Sequence, residues 1–200
     1  MIKFFNEWLI FSLVLFGIWM IIFIFNKKSK KEMFYVSLFT MFFGLTEPLF
    51  VPKYWNPPSL FNLATKTGFD IESLIFSFAI GGIGAILYES IFNVKHKKLS
   101  EHEMRQERHK FHLFALFSPV IIFLSLQIFS DLNPIYSAII SMFVGAIATL
   151  LCRLDLKKKI LLSGFLFFML YFIFFLSFNL VYPYAVSEFW NLKELTGILI

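Results

Sequence analysis

Phe165-Leu166-Phe167-Phe168-Met169-Leu170-Tyr171-Phe172 is apolar or aromatic at every position. A helix built from it has no polar stripe to turn toward water. The apolar character extends from Ile160 to Tyr182, long enough to cross a hydrocarbon core of about 30 Å. Five more runs of this kind are read along the chain: Trp8–Phe25, Met33–Val51, Ile71–Phe92, Phe111–Ser130 and Pro134–Cys152. Thirty Phe in 200 residues, 58% hydrophobic residues and a mean hydropathy of +0.76 agree with that reading. The expected fold is all-α: a polytopic integral membrane bundle of six transmembrane helices.

Charge placement gives the expected orientation. Fourteen of the 18 Lys and Arg residues fall in three connections, Lys27 to Lys31, Lys95 to Lys110 and Arg153 to Lys159. The other four, Lys3, Lys53, Lys66 and Lys193, fall on the opposite side. The positive-inside bias then puts the basic loops in the cytoplasm and both termini outside. These basic loops account for the pI, and no nucleic-acid partner is implied. Lys3 precedes an apolar run, but no small-residue cleavage site follows, so the first run reads as an uncleaved span. Cys152 is the one cysteine, which excludes an internal disulfide and a cysteine metal cluster.

Two stretches are alike. Tyr54-Trp55-Asn56 leads through a polar loop to Gly68-Phe69-Asp70-Ile71-Glu72 and an apolar helix; Phe189-Trp190-Asn191 leads through a shorter loop to Gly197-Ile198-Leu199-Ile200. Each follows an apolar helix that begins after a lysine cluster. We read one membrane domain over 1–200 with two parallel-oriented repeats. The first covers about 8–92 and the second about 134–200, joined by a cytoplasmic linker at 93–110 and a linker helix at 111–130. On this reading the second repeat is expected to be incomplete, lacking the helix that would carry its acidic position.

Ionisable and polar groups at membrane depth are costly, so each one is a candidate site. Glu47 lies in the outer part of the second run, Asp70 and Glu72 open the third, and Gln127 and Asp131 end the fourth. Asn133 and Tyr136 open the fifth, and Asn179 lies near the outer end of the sixth. With the Trp-Asn loops these converge on one end of the bundle, the pattern of a pocket in the outer leaflet half. Plainer readings stand beside this one. Asp70 and Glu72 suit a helix N-terminus as caps, and Trp55 and Trp190 suit an interfacial belt. Glu89 is about 25 Å from Glu72 along one helix and reads as a partner of the basic loop. Ser77, Gly81, Gly82, Gly84 and Ala85, and likewise Ser141, Gly145 and Ala148, form small-residue faces for close helix packing. His109 and His112 with Glu107 could be arranged around a metal, but a solvated juxtamembrane helix explains them; no metal and no cofactor is expected. Phosphate-binding glycine loops, Gly-x-Ser-x-Gly, His-Glu-x-x-His and an intramembrane lysine are all missing from the sequence.

Gly68-Phe69-Asp70-Ile71-Glu72-Ser73-Leu74-Ile75-Phe76 resembles the signature of the small integral-membrane lycopene cyclases, the fused or heterodimeric type of bacteria, archaea and fungi. In that family a loop feeds a helix opening Pro-x-Glu-Glu-x-x-x-Phe, and the unit occurs twice. Here Asp70 stands where the family has proline, Glu72 matches the first glutamate, and Ser73 replaces the second. Glu47 and Trp55 are similar to the family's upstream acidic residue and tryptophan, and Trp190 to Ile200 is similar to the approach to the second motif.

The resemblance implies an isomerase-type (intramolecular lyase) membrane enzyme of a bacterial or archaeal cell membrane, closing the ends of a linear carotenoid without redox change. Glu72 would be the proton donor, and Glu47 or Asp70 the orienting partner or final base. Trp55, Asn56, Phe76, Gln127, Asn179, Trp190 and Asn191 would line the substrate site. Burial of a carboxyl in apolar surroundings favours its protonated form, and aromatic faces stabilise a cation without attacking it. The implied partners are the bilayer, a hydrophobic isoprenoid or carotenoid, and a partner subunit or second copy. Two alternatives remain: a non-catalytic isoprenoid-binding or subunit-assembly module of the same fold, and a small transporter, since repeats are common there.

Overall fold

The computed structural model describes residues 6–94, 111–191, 193 and 194. Among the described residues regular structure is helical, apart from a single antiparallel bridge between Trp55 and Trp190. Contacts group the chain into two compact units, Met1–Val94 with Phe165–Ile200, and Lys95–Gly164. The fold is a helical membrane bundle.

In the first unit, α1 (Glu7–Phe25) starts at Asn6, whose side chain accepts the Leu9 N–H at 2.6 Å. At the other end Asn26 turns the chain into α2 (Lys30–Met41): its Oδ1 accepts from Lys28 and Ser29 N–H, and its amide donates to Ser90. Ser29 also donates to Glu89 at 3.0 Å, while the basic connection at 95–110 lies outside the described residues. A short helix α3 (Leu63–Thr67) ends at Gly68, which takes the left-handed φ of 77° and lies against Pro48. There follows α4 (Ile71–Phe92), capped by the Asp70 side chain on the Ser73 N–H. The first unit also takes α7 (Lys157–Val181) from Phe165 onward, and α8 (Ala185–Phe189).

The small residues of α4 set its spacing from α2. A methyl group at Gly81 would overlap Thr40, and one at Gly82 would overlap Ser37 Oγ and Trp19 Nε1. Gly82 thus makes room for the Trp19–Ser37 hydrogen bond (2.9 Å), in which the α1 indole donates to the α2 hydroxyl. Gly84 leaves the matching space for Phe167.

The second unit contains a helical hairpin of α5 (His112–Phe129) and α6 (Pro134–Cys152). Pro134 occupies the first turn of α6, where its missing N–H costs nothing, and Asn133 caps it by accepting from Ile135 at 2.8 Å. Pro119 of α5 fits against Gly145 of α6, where a Cβ would collide with its ring. The histidine-rich stretch from His96 to His109 and the segment Gly197–Ile200 lie outside the described residues. His112 is described, and its Nδ1 is 3.9 Å from Cys152 Sγ.

Among the described residues five helical stretches are long and apolar enough to span a membrane: α1, α4, α5, α6 and Leu154–Val181. The sixth run expected, Met33–Val51, takes a different form. Its α-helix ends at Met41, and Phe42–Leu49 continues as a 3₁₀-helix. Within this segment Pro48 bars an α-helical bond to the Gly44 carbonyl, and Gly44 lies directly against Leu74 of α4. The outward faces carry large apolar residues, with Phe25, Phe129 and Leu180 exposed by 80%, 85% and 73%. Such a surface suits lipid rather than water.

Gly82→Ala should lower stability by about 1–3 kcal/mol, because the new methyl must displace both partners of a buried hydrogen bond. Gly17→Ala, with nothing within 4 Å of the added carbon, should leave it unchanged or slightly raised. Thermal unfolding of the two variants in detergent checks the contrast.

Candidate functional site: a carboxyl cluster at the start of α4

Asp70, Glu72 and Ser73 follow one another around the first turn of α4, and all three are buried, Glu72 completely and Asp70 to within 1%. Each makes a different connection. The Ser73 hydroxyl donates to Glu47 Oε1 at 2.6 Å and accepts from the Trp8 indole N–H at 3.4 Å. The Ser73 backbone N–H donates to Asp70 Oδ1. Glu72 Oε1 accepts two bonds, from the Asn6 side-chain amide and from the Leu60 backbone N–H, both at 2.8 Å. The other oxygens, Glu47 Oε2, Asp70 Oδ2 and Glu72 Oε2, are buried and have no hydrogen-bond partner among the described residues.

Local backbone accounts for these positions. The tight winding of Phe42–Leu49 and the contact of Gly44 with Leu74 lay the Glu47 segment along the first turn of α4. The Leu60 N–H reaches Glu72 from a turn in which Phe61 and Asn62 both have positive φ, 56° and 54°. Two consecutive non-glycine residues in that region are costly, and such strain gathers at sites that need a specific backbone direction.

Aromatic rings surround the Trp8 side of the cluster. Trp8 lies 5.2 Å from Trp55 and 5.1 Å from Phe76, centroid to centroid, and Phe178 meets Trp8 and Phe11 edge-on. Trp55 in turn packs on Phe189 and on Trp190, the latter at 4.6 Å. The backbones of the two Trp-Asn segments exchange hydrogen bonds: Asn56 N–H donates to Phe189 O at 2.8 Å and Asn191 N–H to Tyr54 O at 3.0 Å.

The structure therefore brings together Glu47, Asp70, Glu72, Trp55, Phe76 and Trp190. Asn56 and Asn191 meet the opposite segment through their backbones, while both side chains are exposed. Asn179 donates its amide to Phe175 O in its own helix, and Gln127, in the second unit, donates to Ser137. Asn6, Trp8 and the Leu60 N–H were not expected from the sequence. The signal for Asn6 was available only as a polar cap before the first apolar run, and its partner is 66 residues away. Ser73 was read as a lost glutamate; its hydroxyl instead holds Glu47.

An apolar cavity of about 430 Å³ lies in the second unit, lined by residues that include Phe114, Ala148 and Cys152. In the first unit an apolar cavity of about 330 Å³ is lined by Leu13, Phe16, Met41, Leu74, Ile75 and Phe78. Leu74 and Ile75 continue the turn that carries Glu72 and Ser73. No group of three or more metal-binding side chains is found among the described residues.

Fold and site together define a polytopic helical membrane protein with a buried carboxyl cluster faced by aromatic rings. Residues 133–200 match the family model for lycopene cyclase; the matched stretch includes the approach at Trp190 and does not extend to the Gly68–Phe76 motif. No curated protein and no solved structure matches the chain. The matched stretch contains Phe178, Phe189 and Trp190, whereas the carboxyl groups lie outside it.

Asp70 separates capping from acidity. Asp70→Ala should cost about 0.5–2 kcal/mol through loss of the cap, and Asp70→Asn should restore most of it. Burial pushes the Asp70 carboxyl above its ordinary 3.8, against the opposing Ser73 hydrogen bonds. The folded chain therefore binds this proton more tightly than the unfolded chain, and the residue's contribution to stability falls as pH rises above 3.8. Asp70→Asn should flatten that part of the profile, read as unfolding midpoint against pH.

Proposed function

We propose that this chain is a lycopene cyclase-like membrane protein that closes the end group of a linear carotenoid by acid catalysis. The observation that supports this most strongly is three carboxyl groups around one helical turn, each with one buried oxygen unpartnered, beside a wall of aromatic rings. Glu72 is the proton donor in this reading. Its proton adds to the terminal double bond, the neighbouring double bond attacks the resulting cation, and a carbon–carbon bond closes the ring. A ring proton then leaves to Glu47 or Asp70, and its return to Glu72 within the cluster makes turnover redox-neutral and proton-neutral.

The rings of Trp8, Trp55, Phe76 and Trp190 face charge that develops during the reaction, since a π face attracts a cation and offers no lone pair to trap it. The apolar cavity that continues from Leu74 and Ile75 suits part of a long polyene. We place the cluster on the outer side of the membrane, opposite the basic connections.

A second reading, binding of an isoprenoid without turnover, draws on the burial of Glu72 and Asp70. A ligand held in the cavity beside Leu74 would not need to reach either carboxyl group.

Expression in a lycopene-accumulating bacterial host, followed by chromatography of the pigments, separates the two. Mono- or bicyclic carotene should appear with the chain and fall by at least about 10²-fold with Glu72→Gln, the range for loss of a general acid. Unchanged lycopene from well-inserted protein would reject the cyclase reading. Cyclisation that survives Glu72→Gln would reject the acid assignment alone.

A further inference from the structure

Asn6 has a side chain with two different ends, and both are committed. Its Oδ1 accepts the Leu9 N–H at 2.6 Å, a bond that only the oxygen can accept. The amide orientation is thereby fixed, and the NH₂ must be the end that meets Glu72 Oε1 at 2.8 Å. The Leu60 N–H donates to the same oxygen. An oxygen already facing two N–H groups cannot carry a hydrogen of its own without setting it against one of them. The remaining oxygen, Oε2, is buried and has no partner.

We propose that Asn6 is a positioning residue: with the Leu60 N–H it holds Glu72 Oε1 as an acceptor, so that the acidic proton is carried on Oε2. The mechanistic value of this arrangement rests on the reading of Glu72 as proton donor. A carboxylic acid free to exchange its proton between both oxygens presents the reactive one only part of the time. Pinning Oε1 from α1 and from the 60–62 turn removes that freedom and orients the O–H before substrate arrives. Because Asn6 is also the cap of α1, the start of that helix and the direction of the acid are set by one side chain.

The test uses Asn6→Ser in the full chain, purified into lipid nanodiscs. Serine keeps a cap acceptor for the Leu9 N–H but lacks the NH₂ that reaches Glu72. Helix content should be retained; Asn6→Ala, which lacks both cap and NH₂, reports the loss of the cap by comparison. Infrared spectroscopy then reads the Glu72 carboxyl stretch, assigned as the band lost in Glu72→Gln. The band should shift in the Asn6 variant, and kcat for cyclisation should fall about tenfold or more with KM retained. A Glu72 band and kcat both unmoved would overturn the proposal. Should even the unmutated protein fail to cyclise lycopene, the cyclase reading falls, while the infrared shift still decides whether Asn6 holds Glu72.

Discussion

At the Glu72 end of the first unit, separate parts of the chain all terminate on the first turn of α4. The start of α1 reaches it through Asn6 and Trp8, the 3₁₀ segment through Glu47, and the loop before α3 through the Leu60 N–H. Hydrogen-bond satisfaction enforces this convergence. The first N–H groups of any helix have no partner inside it, and the carboxyl groups of Asp70 and Glu72 are buried. A buried polar atom left without a partner costs about 1–3 kcal/mol. Each bond that relieves this cost also fixes where a neighbouring element begins.

Much of this was legible in the sequence, for physical reasons that differ by element. Runs such as Ile71–Phe92 and Pro134–Cys152 are apolar throughout and bounded by strong caps, Asp70 and Asn133–Pro134, so their ends coincide with the helices. Met33–Val51 was harder, because hydropathy does not register that Pro48 and Gly44 tighten the second half into a 3₁₀ path. Within the site, Glu47, Asp70 and Glu72 stood out because charge in an apolar run is conspicuous. Asn6 and Trp8 did not, since an asparagine before a helix reads as a cap and a tryptophan near its start reads as an interfacial residue. Their roles arise from a parallel pairing of α1 with α4 that local periodicity does not encode.

The two aromatic-Trp-Asn segments illustrate how sequence similarity and geometry reinforce one another. Around the Trp55–Trp190 pair, the Asn N–H of each segment donates to the aromatic carbonyl of the other. That exchange is symmetric: reversing the roles of the segments leaves the pattern unchanged, as in any pair of antiparallel residues flanked by reciprocal bonds.

The asymmetry within each carboxyl group carries the strongest constraint on what the cluster does. If the cluster served only to fasten helices together, both oxygens of each group would be expected to find donors, since an apolar bundle offers no water for the remainder. Instead Glu47, Asp70 and Glu72 each have one oxygen held and one buried oxygen unpartnered. Three full negative charges so arranged would repel one another and would each leave a bare oxygen in low dielectric. A proton placed on an unpartnered oxygen removes the charge and leaves an O–H with no hydrogen-bond partner among the described residues. Under the cyclase reading proposed above, such an O–H would meet the electrons of a carbon–carbon double bond.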